Sequence, residues 1–201
     1  MICAVLNKNG QLFFIHGYGG TVKTYLYETI ISYLRSKGKI VLVIASSEIA
    51  SLLLSGGRTA HSRFKIPLNI NEHSTFDIKK GTQLARLIEE TCLVIWDEAP
   101  MCHRHCFEAL DRTFRDILSN SNFDAQNNPF GGKTIMLGGD FRQILPVVIN
   151  GGKEDIINAS ITRCKLWKFF TVYTLTINMR LSTINDSLSE KNKLAKFSMW
   201  L

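Results

Sequence analysis

Gly17-Tyr18-Gly19-Gly20-Thr21-Val22-Lys23-Thr24 is the stretch that decides the fold of this chain. The apolar run Leu12 to His16 precedes it, and a helical pattern from Lys23 to Arg35 follows. Strand, glycine-rich turn and helix start make a setting in which backbone N–H groups and a helix N-terminus hold a phosphate chain. The spacing of Gly17, Lys23 and Thr24 fits the P-loop pattern, in which Lys reaches the β/γ-phosphates and Thr binds Mg²⁺. One position departs from it. The pattern places Gly before the Lys, and Val22 stands there. A β-branched side chain resists the conformations open to glycine and crowds a bound phosphate.

Outward from this loop, strands and helices alternate. Tyr25, Leu26, Thr29, Ile30, Tyr33 and Leu34 recur at helical spacing, and Gly38 ends that helix. Ile40 to Ala45 is a short, β-branched apolar run, which predicts a strand buried on both faces. Ser46-Ser47 caps a short helix from Glu48 to Leu54. Residues 58–80 read as polar, basic and irregular. Thr82 to Glu90 predicts a helix, and Cys92 to Trp96 a buried strand running into Asp97-Glu98-Ala99-Pro100. Phe107, Leu110, Phe114 and Leu118 line one face of the next helix. Thr134 to Leu137 predicts a fourth strand ending in Gly138-Gly139-Asp140, and Thr171 to Ile177 a fifth. The expected fold is an α/β sandwich with a mostly parallel five-stranded sheet. Ligands bind such sheets beyond the carboxyl ends of the strands, where Gly17–Thr24, Ser46-Ser47, Asp97-Glu98 and Asp140–Gln143 would converge.

The chemistry of these clusters is specific in combination. Two adjacent carboxylates at the end of a buried strand are costly unless something positive meets them. Mg²⁺ held by nucleotide phosphates would do so, one carboxylate holding the metal and the other deprotonating water. Taken alone, Asp97-Glu98 favours a strand-end Asp that caps the following helix, and the upstream Gly17–Thr24 stretch turns the balance towards a nucleotide site. Gln143 offers a neutral amide able to feel a terminal phosphate, and Arg180 could clamp one. Gly57-Arg58-Thr59-Ala60-His61-Ser62-Arg63-Phe64 mixes cations, hydroxyls and an aromatic, which suits phosphate contact and base stacking as well as an ordinary basic loop. Cys102-His103-Arg104-His105-Cys106 has no second ligand cluster to complete a zinc site.

Bulk properties agree. The 201 residues suit one domain with a sizeable core, and 45% are hydrophobic, which excludes a disordered chain. A net charge of +7 favours a polyanionic partner such as nucleic acid. No apolar run approaches a membrane span. No secretory signature opens the chain, so a cytosolic or nuclear compartment is the default. The five cysteines have no framework spacing and read as reduced thiols.

With these residues assembled, the chain resembles the Pif-one family of DNA helicases, in its large plant and transposon-associated branch. The matching stretches run in the family's order. They are Gly17–Thr21 with Lys23-Thr24, Ala45–Ser47 with Ile49–Leu54, Gly56–Phe64, Ile95–Met101, Pro129–Lys133, Gly138–Val147 and Asn178–Leu181. The resemblance implies a RecA-like, three-layer P-loop NTPase domain over residues 12–181, preceded by a shortened lead-in at 1–11 and followed by a tail at 182–201. It implies ATP and Mg²⁺ as ligands and movement 5′ to 3′ on single-stranded DNA. It also implies work in repair, recombination and telomere upkeep, in the nucleus, as a monomer with no membrane contact.

By the same resemblance, residues Gly17, Tyr18, Gly19, Gly20, Thr21, Val22, Lys23 and Thr24 hold the nucleotide. Lys23, Glu98, Gln143 and Arg180 serve catalysis, and Thr24 and Asp97 hold Mg²⁺. Ser46, Arg58, Thr59, His61 and Phe64 touch DNA. The Asp140 strand would lie between the phosphate-loop strand and the Asp97 strand. Besides Val22, Glu48 departs from the family's usual Gly. The adenine-reading glutamine motif and the second motor domain are not visible. An inactive, transposon-derived remnant or weak DNA-binding module is therefore the alternative expectation. A small P-loop kinase gives Asp97–Pro100 and Gly139–Gln143 no role.

Overall fold

The computed structural model describes residues 1–7, 10–120 and 122–179. Its elements, in chain order, begin with α1 (Ile2–Leu6), β1 (Leu12–Gly17), α2 (Lys23–Ser36), β2 (Ile40–Ala45) and α3 (Glu48–Leu52). Next come β3 (Arg58–Thr59), α4 (Ala60–Phe64), α5 (Gln83–Glu90), β4 (Thr91–Asp97) and α6 (Arg104–Leu118). The last are β5 (Thr134–Gly139), α7 (Lys153–Ala159) and β6 (Phe170–Leu175), with short 3₁₀ turns between.

The strands form one parallel sheet in the order β3-β2-β4-β5-β1-β6. The strand leading into Asp140 lies between the phosphate-loop strand and the Asp97 strand, as the family's order implied. All five expected strands are present. The sheet nevertheless has six, because Arg58–Thr59 pairs with Ile44 and Ala45 at the edge. Two polar residues carry no alternating apolar signal, so nothing in the sequence marks them as a strand. Within the lead-in, Ile2–Leu6 is helical and buries Ala4 and Val5.

Period-two alternation divides the core into two. Phe13, Ile15, Val41, Val43, Leu93, Ile95 and Met136 face one way, towards Ala4 and Val5 of α1 and Ile30, Ile31 and Leu34 of α2. Phe14, Leu42, Ile44, Val94, Trp96, Ile135 and Leu137 face the other, towards Phe64 of α4, Ile88 of α5 and Phe107, Leu110, Phe114 and Ile117 of α6. This is the three-layer sandwich. Both faces of the sheet are covered, which explains why its strands read as near-continuous apolar runs.

The buried face of α2 differs from the stripe the spacing suggested. Tyr25 is 72% exposed, and the buried positions are Lys23, Tyr27, Ile30, Ile31 and Leu34. Tyr residues recur on both sides of this helix, so periodicity alone left its orientation ambiguous. Ser47, Thr59 and Thr82 each accept a hydrogen bond from the third residue beyond them, capping α3, α4 and α5.

Candidate nucleotide site

The carboxyl ends of β1, β4 and β5 meet at one cavity of 800 Å³. Tyr18, Gly19, Gly20, Val22, Lys23 and Thr24 line it from the loop after β1. Asp97 and Glu98 line it from β4, and Gln143 from the turn after β5. The convergence expected from the sequence is therefore present for these residues.

The loop has an internal frame. The Thr21 hydroxyl donates to the Tyr18 carbonyl at 2.7 Å, and Lys23 Nζ donates to the Gly17 carbonyl at 2.5 Å. Thr21 and Lys23 are buried, Thr24 is half-buried, and Gly19 lies open. Gly20 has φ +91°, a conformation that suits glycine, and a Cβ there would lie 2.4 Å from Asn178 Oδ1 and displace that side chain. The segment after β6 closes on the loop from outside. The Tyr18 hydroxyl donates to the Thr176 carbonyl at 2.7 Å, and the Met179 N–H donates to the Gly20 carbonyl at 3.1 Å.

Val22 caps α2 in the left-handed region, with φ 61° and ψ 32°. That region suits glycine and costs a β-branched residue about 1–2 kcal/mol. Its side chain is 40% exposed and belongs to the cavity wall.

Asp97 ends β4 and is 7% exposed. Glu98 follows in the left-handed region at φ 52°. Asp97 Oδ1 and Glu98 Oε2 are buried without a completed hydrogen bond. Burial pushes the Asp97 carboxyl above the usual range, against the pull of the Glu98 backbone N–H and the Lys23 ammonium. Burial also raises Glu98, and the charges of Asp97 and Asp140 add to the rise while Lys23 opposes it. Two orphaned carboxylate oxygens beside a buried ammonium fit a divalent cation, because hard oxygen ligands lacking partners gain most from one.

The remaining expected residues separate into groups. The Asp140 carboxylate accepts from the Arg142 N–H at 2.9 Å and lies 3.7 Å from His16 Nε2. This turn presents Gln143 to the cavity. Arg180 lies outside the described residues. Ser46 Oγ accepts from Trp96 Nε1 at 2.9 Å and from Cys102 Sγ at 3.3 Å, so its hydroxyl proton is left to point elsewhere. Arg58 and His61 are exposed.

Phe64 corrects the expectation of a base-stacking ring. It is fully buried between Phe76, at 6.3 Å, and Phe114, at 5.8 Å. A ring in the core cannot meet a base. Ala60 and Phe64, at i and i+4 behind the Thr59 cap, share the inward face of α4. Cys102 and Cys106 are likewise buried, and among the described residues no group of three His, Cys, Asp or Glu is placed to hold a metal ion. Nor is any helix among them long and apolar enough to cross a membrane.

Comparison with known proteins gives one answer. The sequence model described as PIF1-like helicase matches residues 1–201. The ATP-dependent DNA helicase Pif1 of Psychrobacter sp. (strain PRwf-1) is 30% identical over 146 residues, which is 72% of this chain and 21% of that protein. The ATP-dependent DNA helicase PIF1 of Candida albicans is 34% identical over 143 residues, 70% of this chain and 15% of that protein. The chain thus spans about a fifth of the length of these relatives. Among solved structures, Pif1 helicase from Candida albicans superposes with a TM-score of 0.65 at 28% identity, covering 91% of this chain and 40% of that one. A Pif1 helicase from Bacteroides, in complex with ADP-AlF3 and ssDNA, superposes with a TM-score of 0.69 at 24% identity, covering 89% and 42%. The second likeness concerns the fold.

Proposed function

The chain belongs to the PIF1-like helicase family, and from that premise we propose that it is the ATP-hydrolysing first motor domain of an ATP-dependent DNA helicase. The observation that carries this reading is the pair of orphaned, buried carboxylate oxygens facing the P-loop lysine across one cavity. Lys23 exchanges the Gly17 carbonyl for the β/γ-phosphates, which are the better acceptors. Thr24 and Asp97 hold Mg²⁺, which when bound neutralises charge on the phosphates. Glu98, its carboxyl raised by burial, would accept the proton of the attacking water as the water oxygen bonds to the γ-phosphorus and the bond from that phosphorus to the β–γ bridging oxygen breaks, with ADP as the leaving group. Gln143 contacts the γ-phosphate, and its exposed turn relays the state of the site. Arg180 belongs to the same proposal.

Ser46, Arg58, Thr59 and His61 supply the single-stranded DNA contact. The net charge of +7 favours the partner, and Ser46 keeps a free hydroxyl proton for a phosphate. Unwinding in the 5′ to 3′ sense needs a second domain that opens and closes on this one, because the stroke is a change in their separation. The domain span 12–181, monomeric action, nuclear DNA as the substrate, and roles in repair, recombination and telomere upkeep complete the proposal.

Val22 favours a second reading, a DNA-binding remnant without turnover. Its left-handed conformation and its place in the cavity wall both load the cradle. Measuring ATP hydrolysis with and without single-stranded DNA separates the two. For Val22→Gly we expect turnover at least tenfold above that of the parent chain. Nucleotide binding in neither protein would overturn the enzymatic reading for this chain.

A further inference from the structure

Tyr27 lies one helical turn beyond Lys23 on α2 and is fully buried. Its hydroxyl completes no hydrogen bond among the described residues, like Asp97 Oδ1 and Glu98 Oε2. Buried hydroxyls are nearly always partnered, so an orphan beside two orphaned carboxylates marks a site. The opposite wall is cut to fit it. Gly138 of β5 faces the ring, and a Cβ there would lie 1.6 Å from the phenol oxygen and 2.9 Å from Cζ. No other residue at 138 leaves the hydroxyl where it is.

The phenol is a donor and stays one. Burial, then the charges of Asp97 and Glu98, push its pKa up, and the phenol in turn lowers that of Asp97. The two groups are thus close enough to feel each other without a well-aligned bond between them. Asp97 gains little positioning from elsewhere. The Glu98 backbone N–H and the Lys23 charge are the other groups that favour its ionised form.

We infer that Tyr27 is a positioning residue for the metal. Its hydroxyl donates to one oxygen of the Asp97 carboxylate, fixes the plane of that group, and leaves the second oxygen to the Mg²⁺ side. The link joins two elements that must act together. Lys23 and Thr24 open α2, Tyr27 sits on the same helix, and Asp97 ends β4. A bond from Tyr27 to Asp97 therefore sets the spacing between the two groups proposed to hold the metal. Partners of this kind, one bond removed from the metal, change metal affinity by about 10- to 100-fold. The inference rests on the nucleotide reading given above.

Tyr27→Phe removes the hydroxyl and keeps the ring. Binding of a fluorescent, non-hydrolysable ATP analogue to the full chain would be followed while Mg²⁺ is titrated, and again in EDTA. We expect the half-saturating Mg²⁺ concentration to rise about tenfold, with metal-free affinity unchanged within twofold. Equal weakening with and without metal, or no change in either, would overturn the inference. Should neither the parent chain nor Val22→Gly bind nucleotide, the nucleotide reading fails, and the Tyr27–Asp97 link is then read without ligand. Thermal midpoints of Tyr27→Phe, Asp97→Ala and the double variant in metal-free buffer give the coupling. Shifts that miss additivity by about 2 °C or more support the link, and additive shifts overturn it.

Discussion

Two stretches of this chain, Gly17–Thr24 and Arg58–Phe64, read as functional for different reasons, and they fare differently in three dimensions. The first is recognised by backbone requirements, namely glycines, a buried lysine and a helix start at fixed spacing. Its internal hydrogen bonds, Thr21 to Tyr18 and Lys23 to Gly17, hold a loop whose residues line one cavity. The second is recognised by side-chain type alone. Half of it is architecture, because Thr59 pairs with β2 and caps α4, and Phe64 fills the core. Arg58, His61 and Ser62 are the exposed positions. Spacing that encodes a backbone shape survives folding as function. Composition does not, because it cannot say which way a side chain will point.

The sharpest way to break this contrast is at the site itself. Glu98→Gln keeps shape and removes the base, so ATP turnover should fall by about 10²- to 10⁴-fold while nucleotide affinity stays within a few-fold. Retained turnover in a steady-state phosphate-release assay would deprive Glu98 of its role.

Phe64→Ala probes the other stretch and should act on stability. Truncating a fully buried Phe costs about 3–5 kcal/mol, which lowers the thermal midpoint by roughly 10 °C. Phe64→Leu should recover most of that loss and bind single-stranded DNA like the parent. Weaker DNA binding with an unchanged midpoint would return the ring to the interface. The smallest effect is expected at Arg58. Arg58→Ala should weaken DNA binding several-fold and reduce the salt slope by about 1, and leave melting unaltered because the side chain is exposed. An unchanged salt slope would take Arg58 off the DNA path.

Much of the architecture was legible because sheet burial on both faces leaves unbroken apolar runs such as Ile40–Ala45 and Leu93–Trp96. The site was legible where carboxylates or glycines interrupt those runs. What escaped has physical reasons. β3 is too short and too polar to show a period. The inward face of α2 is obscured by tyrosines on both sides, so spacing alone does not single out Tyr27. Its signal was present in the i, i+4 relation to Lys23 and the approach to i+3 with Ile30. The orientation of Phe64 was readable too, from the Thr59 cap and the Ala60/Phe64 pair.

The clasp between Tyr18 and Thr176 bears on how the chain is made. Their hydrogen bond spans 158 residues of sequence. β1 pairs on one side with β5 and on the other with β6, both late in the chain. At roughly 5–20 residues per second, the phosphate loop leaves the ribosome about 8–30 s before the strand that clasps it has been synthesised. Until β5 has been made, Leu12–Ile15 is an apolar strand with neither of its neighbours to pair with, and until β6 has been made one of its edges stays open. The first piece of the site to be translated is therefore the last to be clasped, since its second neighbour and its Thr176 partner both lie near the end of the described chain.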